Sequence, residues 1–317
     1  MKKRRRLNEY RVPTKPLNDN EKSQLMRIHL LMGGCAFLVS TSFIVGKAIT
    51  AGLDPAVLTL IRFLLATVFL FPYVLKNHGL QFSWSIVGRC SVISLSLVAF
   101  FYSMFLSLRY TSALNTSVIF TLVPSISGIY AMVLVKERLT RAKMIALFCG
   151  MVGAVWVIFR GDVSQAIAMQ WNRGDVIFLA GCFAMGLYTP LVRLFTRSES
   201  MVVMTFWILV TGSVWLLLLS GQSLTSVEWY MVPLEIWLGV CYLAMFTTVI
   251  TFFLTQYSIS YLGPTRVMSY SYLYPSLVLL LDMSMGKGLP NLKVVPGVLV
   301  VLAAMFVIQW SAKKSGA

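Results

Sequence analysis

Charged residues are scarce in this chain, and acidic ones most of all. Only 12% of the 317 residues are charged, with 11 Asp+Glu against 27 Lys+Arg, whereas a soluble domain carries roughly 25%. Hydrophobic residues make up 58%, which is typical of a membrane protein. The net charge of +16 does not indicate a nucleic-acid partner, because the basic residues lie at the edges of apolar runs and form no patch. We interpret them as topology signals.

Histidine is also rare, and the cysteines are not placed for metal binding or disulfide formation. The two histidines, His29 and His78, flank apolar runs, and the five cysteines all lie within apolar runs. Neither residue type has the spacing of a metal site or a disulfide framework. No nucleophile, acid–base pair or metal cluster stands out beyond scattered hydroxyls, which argues against an enzyme. We expect no cofactor and no bound metal.

Ten apolar stretches are long enough, at about 20 residues, to cross a bilayer. They cover approximately residues 28–50, 55–75, 84–107, 111–135, 143–160, 174–195, 200–220, 233–257, 262–285 and 292–311. The sequence therefore predicts an all-α integral membrane protein. Its parts are a flexible basic tail (1–27), a first five-helix repeat (28–160), a second five-helix repeat (174–311) and a C-terminal tail (312–317).

The distribution of Lys and Arg predicts the orientation of these spans, since cytoplasmic loops carry an excess of both. With a cytoplasmic N-terminus, 20 of the 27 basic residues fall on the inner side, and the tail alone holds nine. Only Arg109, Arg160, Arg173, Lys287 and Lys293 fall on the outer side. Both termini are expected to be cytoplasmic.

A shift of 151 positions aligns two segments of the chain. It places YTSALNTSVIFTLVPSIS (110–127) over YLGPTRVMSYSYLYPSLV (261–278), with Pro124 on Pro275. Each segment is the fourth helix of a predicted five-helix set. Because five is odd, the second set must enter the membrane from the opposite side, which predicts an inverted repeat.

Three prolines are predicted to kink their helices at a gate or binding site, with improved packing as the alternative explanation. Pro124 and Pro275 lie about 20 Å into their helices and are expected to free the carbonyls of Phe120 and Ser271. Pro190 marks another break. Small polar stripes accompany the first two prolines: Ser117, Thr121 and Ser125 on one helix, and Thr265, Ser269, Tyr272 and Ser276 on the other.

Several segments occur in an order and at a spacing that are specific to one family. These are SFIVGK (42–47), LIRFLLA (60–66), ALNTSVIFTLVPSISGIYAMVLVKERLT (113–140), GMVGAVWVI (150–158) and YLGPTRVMSYSYLYPSLVLLL (261–281). In them the chain resembles the drug/metabolite transporter (DMT) superfamily, specifically its ten-helix members with two EamA domains. The resemblance implies a transporter with a central cavity between two halves that works by alternating access.

Ionisable residues within spans are costly and are therefore candidates for function. Lys47 and Arg62 approach the outer half, with snorkelling to the headgroups as the alternative. Arg266 lies near the inner end of its helix and Asp282 near the outer end of the same helix. No span carries a carboxylate at its middle, which disfavours export of cationic drugs and favours a substrate with a carboxylate or phosphate.

The predicted substrate site combines these cations with polar and aromatic side chains. Its candidate residues are Lys47, Arg62, Tyr102, Asn115, Thr121, Tyr188, Gln256, Arg266, Tyr270 and Tyr272. Four of them, Arg62, Asn115, Tyr188 and Tyr272, are expected to line one cavity. Asp282 is the candidate coupling residue.

The sequence predicts a secondary transporter of small polar or anionic metabolites, such as amino acids or organic anions. A proton-coupled exporter of drugs or toxic compounds is the alternative. The expected setting is a bacterial inner membrane, where a monomer or homodimer meets the lipid bilayer and its small-molecule substrate.

Overall fold

The computed structural model of the protein describes residues 19–137, 139–158, 172–197, 199–286, 293 and 295–314. All regular secondary structure in these residues is helical. Most of the predicted basic tail, the connection at residues 159–171, Lys287 and residues 315–317 lie outside the described residues.

The first half of the described chain forms six α-helices. They are α1 (Asp19–Ile49), α2 (Pro55–Asn77), α3 (Trp84–Leu108), α4 (Ala113–Ile119), α5 (Val123–Leu134) and α6 (Arg141–Ile158). Side chains of Asp54, Ser83 and Ser112 each accept a backbone N–H from the first turn of α2, α3 and α4, which explains where these helices begin.

The second half, over the residues that the structure describes, forms seven α-helices. They are α7 (Arg173–Phe195), α8 (Met201–Thr225), α9 (Leu234–Ala244), α10 (Thr251–Leu262), α11 (Pro264–Met268), α12 (Tyr274–Ser284) and α13 (Val295–Lys314). A π-helical segment, Met245–Ile250, joins α9 to α10 without a break. Asn172 and Asp175 form a reciprocal capping box at the start of α7.

Seven spans of the described residues are long and apolar enough to cross a membrane. They are Ser23–Ile49, Pro55–Asn77, Trp84–Leu108, Ala113–Leu134, Arg173–Phe195, Met201–Thr225 and Leu234–Leu262. Further apolar helices, among them Val295–Gln309, follow or lie between them. The chain is thus a multi-pass membrane protein, while the count of ten spans stays a prediction.

Pro124 and Pro275 occupy the same local structure. Each is the second residue of an α-helix, α5 or α12, that follows a short 3-10 segment. The N–H of Val123 donates to Phe120 O, and the N–H of Tyr274 donates to Ser271 O. The two carbonyls expected to be free are therefore paired. Tightening each helix to the 3-10 form satisfies them, and a proline near a helix start needs no N–H partner.

Several helix ends meet at one end of the bundle, which we call the Lys47 end. Arg109 at the end of α3 donates to Thr50 O and Leu53 O after α1, at 3.2 and 2.6 Å. The Thr111 hydroxyl donates to Asp175 Oδ1 at the start of α7, at 2.7 Å. These bonds join three helix ends through carbonyl and carboxylate acceptors.

Other helix ends meet at what we call the Arg89 end. Arg89 near the start of α3 donates to Phe195 O, the last residue of α7, at 2.5 Å. It also forms an ion pair with Glu199 in the connection to α8. The start of α3 is thus tied to the turn between α7 and α8.

Helices of the two halves pack pairwise. The main contacts are α2 with α8, α6 with α13, α3 with α7 and α8, α5 with α7, and α1 with α10 and α12. Glycines permit close approach of α3 and α7: a Cβ at Gly174 would lie 2.7 Å from Ser107 O, and one at Gly181 2.7 Å from Ser103 Cβ. A large hydrophobic core fills the centre, and a smaller one lies around α6 and α13.

Candidate functional site

Arg62 is the largest fully buried side chain of the described residues, with 1% of its surface exposed. It lies in the second turn of α2 and reaches the π-helical segment between α9 and α10. Its Nε donates to Thr248 Oγ1 at 2.6 Å, and its Nη2 donates to Thr247 O and Oγ1, both at 3.0 Å. Its Nη1 is buried and has no hydrogen-bond partner.

The π-helical segment turns two threonines towards this guanidinium. The hydroxyls of Thr247 and Thr248 both donate to Leu243 O, at 3.0 and 2.9 Å. Because their protons are committed to that carbonyl, their oxygens are oriented to accept from Arg62. A widened helical turn often marks a functional site, since it displaces side chains from the regular α-helical positions.

An aromatic group separates Arg62 from the next polar pair. The Arg62 Cζ lies 4.2 Å from the centroid of the Phe101 ring, a cation–π contact. Phe101 of α3 stacks on Phe252 of α10 at 6.0 Å, and Phe63 of α2 lies edge-on to both. Phe252 in turn lies 6.0 Å from the ring of Tyr188 in α7. We call Phe63, Phe101 and Phe252 the aromatic partition.

Gln256 and Tyr188 lie beyond the aromatic partition. Gln256 Nε2 donates to the Tyr188 hydroxyl at 3.3 Å, while Gln256 Oε1 is buried without a partner. Their side chains are 0% and 1% exposed. Three of the residues proposed from sequence, Arg62, Tyr188 and Gln256, are therefore linked through one continuous set of contacts.

A second aromatic group closes the centre on the side of α1 and α4. It contains Phe43, Phe100, Phe120, Phe178 and Tyr274, from four α-helices and the 3-10 segment after α4, with neighbouring ring centroids 5.2 to 6.4 Å apart. Phe100 joins it to Phe101 of the aromatic partition at 5.0 Å. None of these side chains stood out in the sequence, because an apolar ring in an apolar run carries no distinguishing signal.

Three predicted site residues bind elsewhere in the molecule. The Lys47 ammonium donates to Leu108 O and Thr111 O, at 2.6 and 3.0 Å, and so caps the end of α3. Arg266 donates to Gln309 Oε1 of α13 at 3.1 Å. The Tyr270 hydroxyl is hydrogen-bonded to His29 Nδ1, which joins the 3-10 segment Ser269–Leu273 to α1.

The remaining predicted residues are spread over other surfaces. Tyr272 belongs to the smaller core beside α6 and α13, where its hydroxyl faces Gly150. Thr121 is buried in the 3-10 segment after α4 and donates to Val118 O of α4, at 2.6 Å. Asn115 lies half-buried in the first turn of α4, and Tyr102 is half-buried in α3. The structure shows no contact that joins Asn115 or Tyr272 to Arg62.

Pro190 lies inside α7, two residues after Tyr188. Its neighbour Thr189 shares a hydrogen bond with Ser127 of α5 at 2.9 Å, so this break joins α7 to α5. Asp282 is half-buried in the last turn of α12. Within the described part of the chain, no group of three or more His, Cys, Asp or Glu could hold a metal ion.

Apolar helical spans around a buried cation and packed aromatic rings define a multi-pass α-helical membrane protein with a polar centre. The profile of the EamA-like transporter family matches residues 26–159 and again residues 172–310. The chain therefore belongs to the EamA-like transporter family, a branch of the DMT superfamily. This membership makes it a transporter.

Relatives with the same broad name extend over most of the chain. "Uncharacterized transporter YyaM" of Bacillus subtilis is 23% identical over 283 residues, covering 88% of this chain and 93% of the relative. An "Uncharacterized transporter" of Archaeoglobus fulgidus is 27% identical over 251 residues, covering 78% and 86%. A solved crystal structure superimposes with a TM-score of 0.67 at 19% identity, covering 90% of this chain and 98% of that one. The similarity to this crystal structure shows a shared fold and nothing further.

Proposed function

We propose that the protein is a secondary transporter that moves small anionic or polar metabolites by alternating access. The observation that carries this proposal is the state of Arg62. Its guanidinium is buried in the apolar core, its contacts are two threonines and an aromatic ring, and Nη1 is unpaired. A buried cation without a carboxylate is costly. An anionic substrate that enters this centre would supply the missing countercharge.

The packing of the helices supports an inverted repeat of two five-helix halves, 28–160 and 174–311, as the basis of alternating access. An inverted repeat pairs each predicted span of the first half with the span five places later in the chain. The α2–α8 and α6–α13 contacts each join two spans that are paired in this way. The α3–α7 contact corresponds to α1–α10, and the α5–α7 contact corresponds to α12–α1. Matching 3-10 segments before Pro124 and Pro275 add to this correspondence. With ten spans, both termini would lie in the cytoplasm of a bacterial cell.

Counterflow in proteoliposomes tests the proposal. Vesicles preloaded with an unlabelled pool would be screened with labelled organic anions, sugar phosphates, amino acids and organic cations. We expect saturable exchange of an anion or amino acid, lowered at least tenfold by Arg62→Met, because a hydrogen bond to a charged group contributes roughly 1.5–3 kcal/mol. Arg62→Lys keeps the charge and is expected to retain part of the exchange.

The matched control is Arg109→Met. Arg109 also donates to backbone carbonyls, but it lies at the Lys47 end of the bundle. Its variant is expected to keep the substrate preference of the wild type. Removing a buried cation need not destabilise the fold, so a melting curve of Arg62→Met separates loss of transport from unfolding. Anion exchange that survives Arg62→Met would refute the role of this residue.

Exchange of cations alone would instead favour a proton-coupled exporter of drugs or toxic compounds. Such a transporter needs an acid to bind the cation and exchange it for protons. Asp282 would then be the first residue to replace, although it lies in the last turn of α12 and not at the Arg62 centre.

A further inference from the structure

Gln256 presents an unused acceptor inside the protein. It is 0% exposed, its Nε2 donates to Tyr188, and its Oε1 has no partner. A buried amide oxygen without a donor costs about 1–3 kcal/mol, and such a group is rare in folded proteins. The Tyr188 hydroxyl accepts the bond from Gln256, which leaves its own proton available. The pair thus offers one acceptor and one donor.

This pair and Arg62 border the same aromatic partition. Arg62 lies against Phe101, and Tyr188 lies against Phe252. Thr247 and Thr248, which accept hydrogen bonds from Arg62, lie on the same continuous helical stretch as Gln256. Eight residues, or about 12 Å of helix rise, separate Thr248 from Gln256. An elongated small molecule could therefore reach both unpaired groups while its body lies along the rings.

We propose that Gln256 and Tyr188 form a second pole of the substrate site, which selects anions that carry a hydroxyl, amide or similar group remote from the anionic end. The inference rests on the proposed function, since Arg62 supplies the first pole. A group of this kind can donate to Gln256 Oε1 and accept from Tyr188. A second carboxylate is disfavoured there, because it only accepts and would face the amide oxygen.

The test compares two permanently charged probes in proteoliposomes: labelled 2-phenylethanesulfonate and labelled 2-(4-hydroxyphenyl)ethanesulfonate. Both keep their charge and so do not leak across the bilayer as neutral acids. The wild type is expected to exchange the hydroxylated probe about tenfold better, the factor that one satisfied buried acceptor provides. Gln256→Met and Tyr188→Phe should each lower this ratio to near one.

Two control variants separate this selection from general effects. Tyr257→Phe removes the hydroxyl of the adjacent residue, which stacks on Phe253. Ser220→Ala removes another buried, unpaired polar atom, on α8. Both controls are expected to keep the wild-type ratio. Arg62→Met, in contrast, should lower exchange of both probes by the same factor.

The outcomes distinguish the inference from the proposed function. A wild-type ratio near one, or a ratio that survives both Gln256→Met and Tyr188→Phe, overturns the second pole while anion exchange stands. Tyr188→Phe retains the ring and its packing, so it decides the question if Gln256→Met fails to fold. A wild type that exchanges neither these probes nor any other anion overturns both ideas together.

Discussion

Gly150 leaves room for the side chain of Tyr272 to pack against α6. A Cβ at this position would lie 2.5 Å from Tyr272 Oη and 2.7 Å from Tyr272 Cζ. Because the Tyr272 ring is 1% exposed, it has little room to move away. The absence of a side chain in α6 therefore allows Tyr272 to pack between α6 and α13.

We expect Gly150→Ala to destabilise the protein by about 1–3 kcal/mol, the usual cost of overpacking a core. The measurement is the midpoint of thermal unfolding in detergent. Gly33→Ala in α1 is the matched control, because a Cβ there meets nothing within 4 Å. It should be neutral or slightly stabilising, as Ala is the better helix former. Equal midpoints for the two variants would contradict this account of the Tyr272 packing.

Single residues also show how far the sequence could locate the site. Arg62 was identifiable, because an ionised group inside an apolar run is costly and so draws attention. Its partners were not, since Thr247 and Thr248 lie 185 and 186 residues further along the chain. Hydroxyls in membrane helices usually bond to their own backbone. Nothing in a threonine pair indicates that its oxygens will accept from a distant cation.

At the scale of elements, departures from the regular α-helix limited what the sequence could predict. The helix bounds follow from apolar runs and capping residues, and most lie within a few residues of the expected ones. The 3-10 and π segments were not predicted. The stripe that includes Tyr272 was derived from an α-helical period, but Ser269–Leu273 is a 3-10 segment with three residues per turn. Tyr272 of this segment faces Gly150 of α6, whereas the Tyr270 hydroxyl is bonded to His29 of α1.

The ion pair between α3 and the α7–α8 turn is another feature that the sequence did not predict. Arg89 was interpreted only as a topology signal, and Glu199 was not singled out. In the structure they form an ion pair, with each side chain 11% exposed. The hydrogen bond from Arg89 lowers the pKa of the Glu199 carboxyl below its usual value. The sequence does not indicate this pair, because Glu199 lies 110 positions after Arg89.

We expect Glu199→Gln to lower the free energy of unfolding by about 1 kcal/mol at neutral pH. A carboxyl whose pKa is lowered on folding stabilises the protein above its unfolded pKa, about 4.3 for Glu. That contribution is lost as the pH falls through the folded pKa. The difference in melting midpoint between wild type and variant should therefore be constant from pH 6 to 8 and shrink below about pH 4. A difference that grows on acidification would contradict the assignment. Glu228→Gln, an exposed carboxyl outside any ion pair shown, is the control.

At the scale of the whole molecule, the two halves must cross the membrane in opposite directions if the repeat is inverted. The predicted consequence concerns the helices that begin each half, α1 and α7. Ser23 at the start of the first span and Arg173 at the start of α7 are both exposed. With ten spans and a cytoplasmic N-terminus, Ser23 lies inside the cell and Arg173 outside.

Single cysteines at these two positions, in a chain whose five native cysteines are replaced by alanine or serine, would test this arrangement in intact cells. A membrane-impermeant maleimide is expected to label Arg173→Cys and to spare Ser23→Cys, whereas a permeant maleimide should label both. Labelling of both by the impermeant reagent, or of neither, would place the starts of the two halves on one side. The matching contacts of α3–α7 and α1–α10 would then reflect packing alone, and alternating access through inverted halves would lose its structural basis. Opposite labelling, combined with the Arg62 exchange data, would place one buried cation between two oppositely oriented halves, the arrangement that a carrier needs to expose one site to each side in turn.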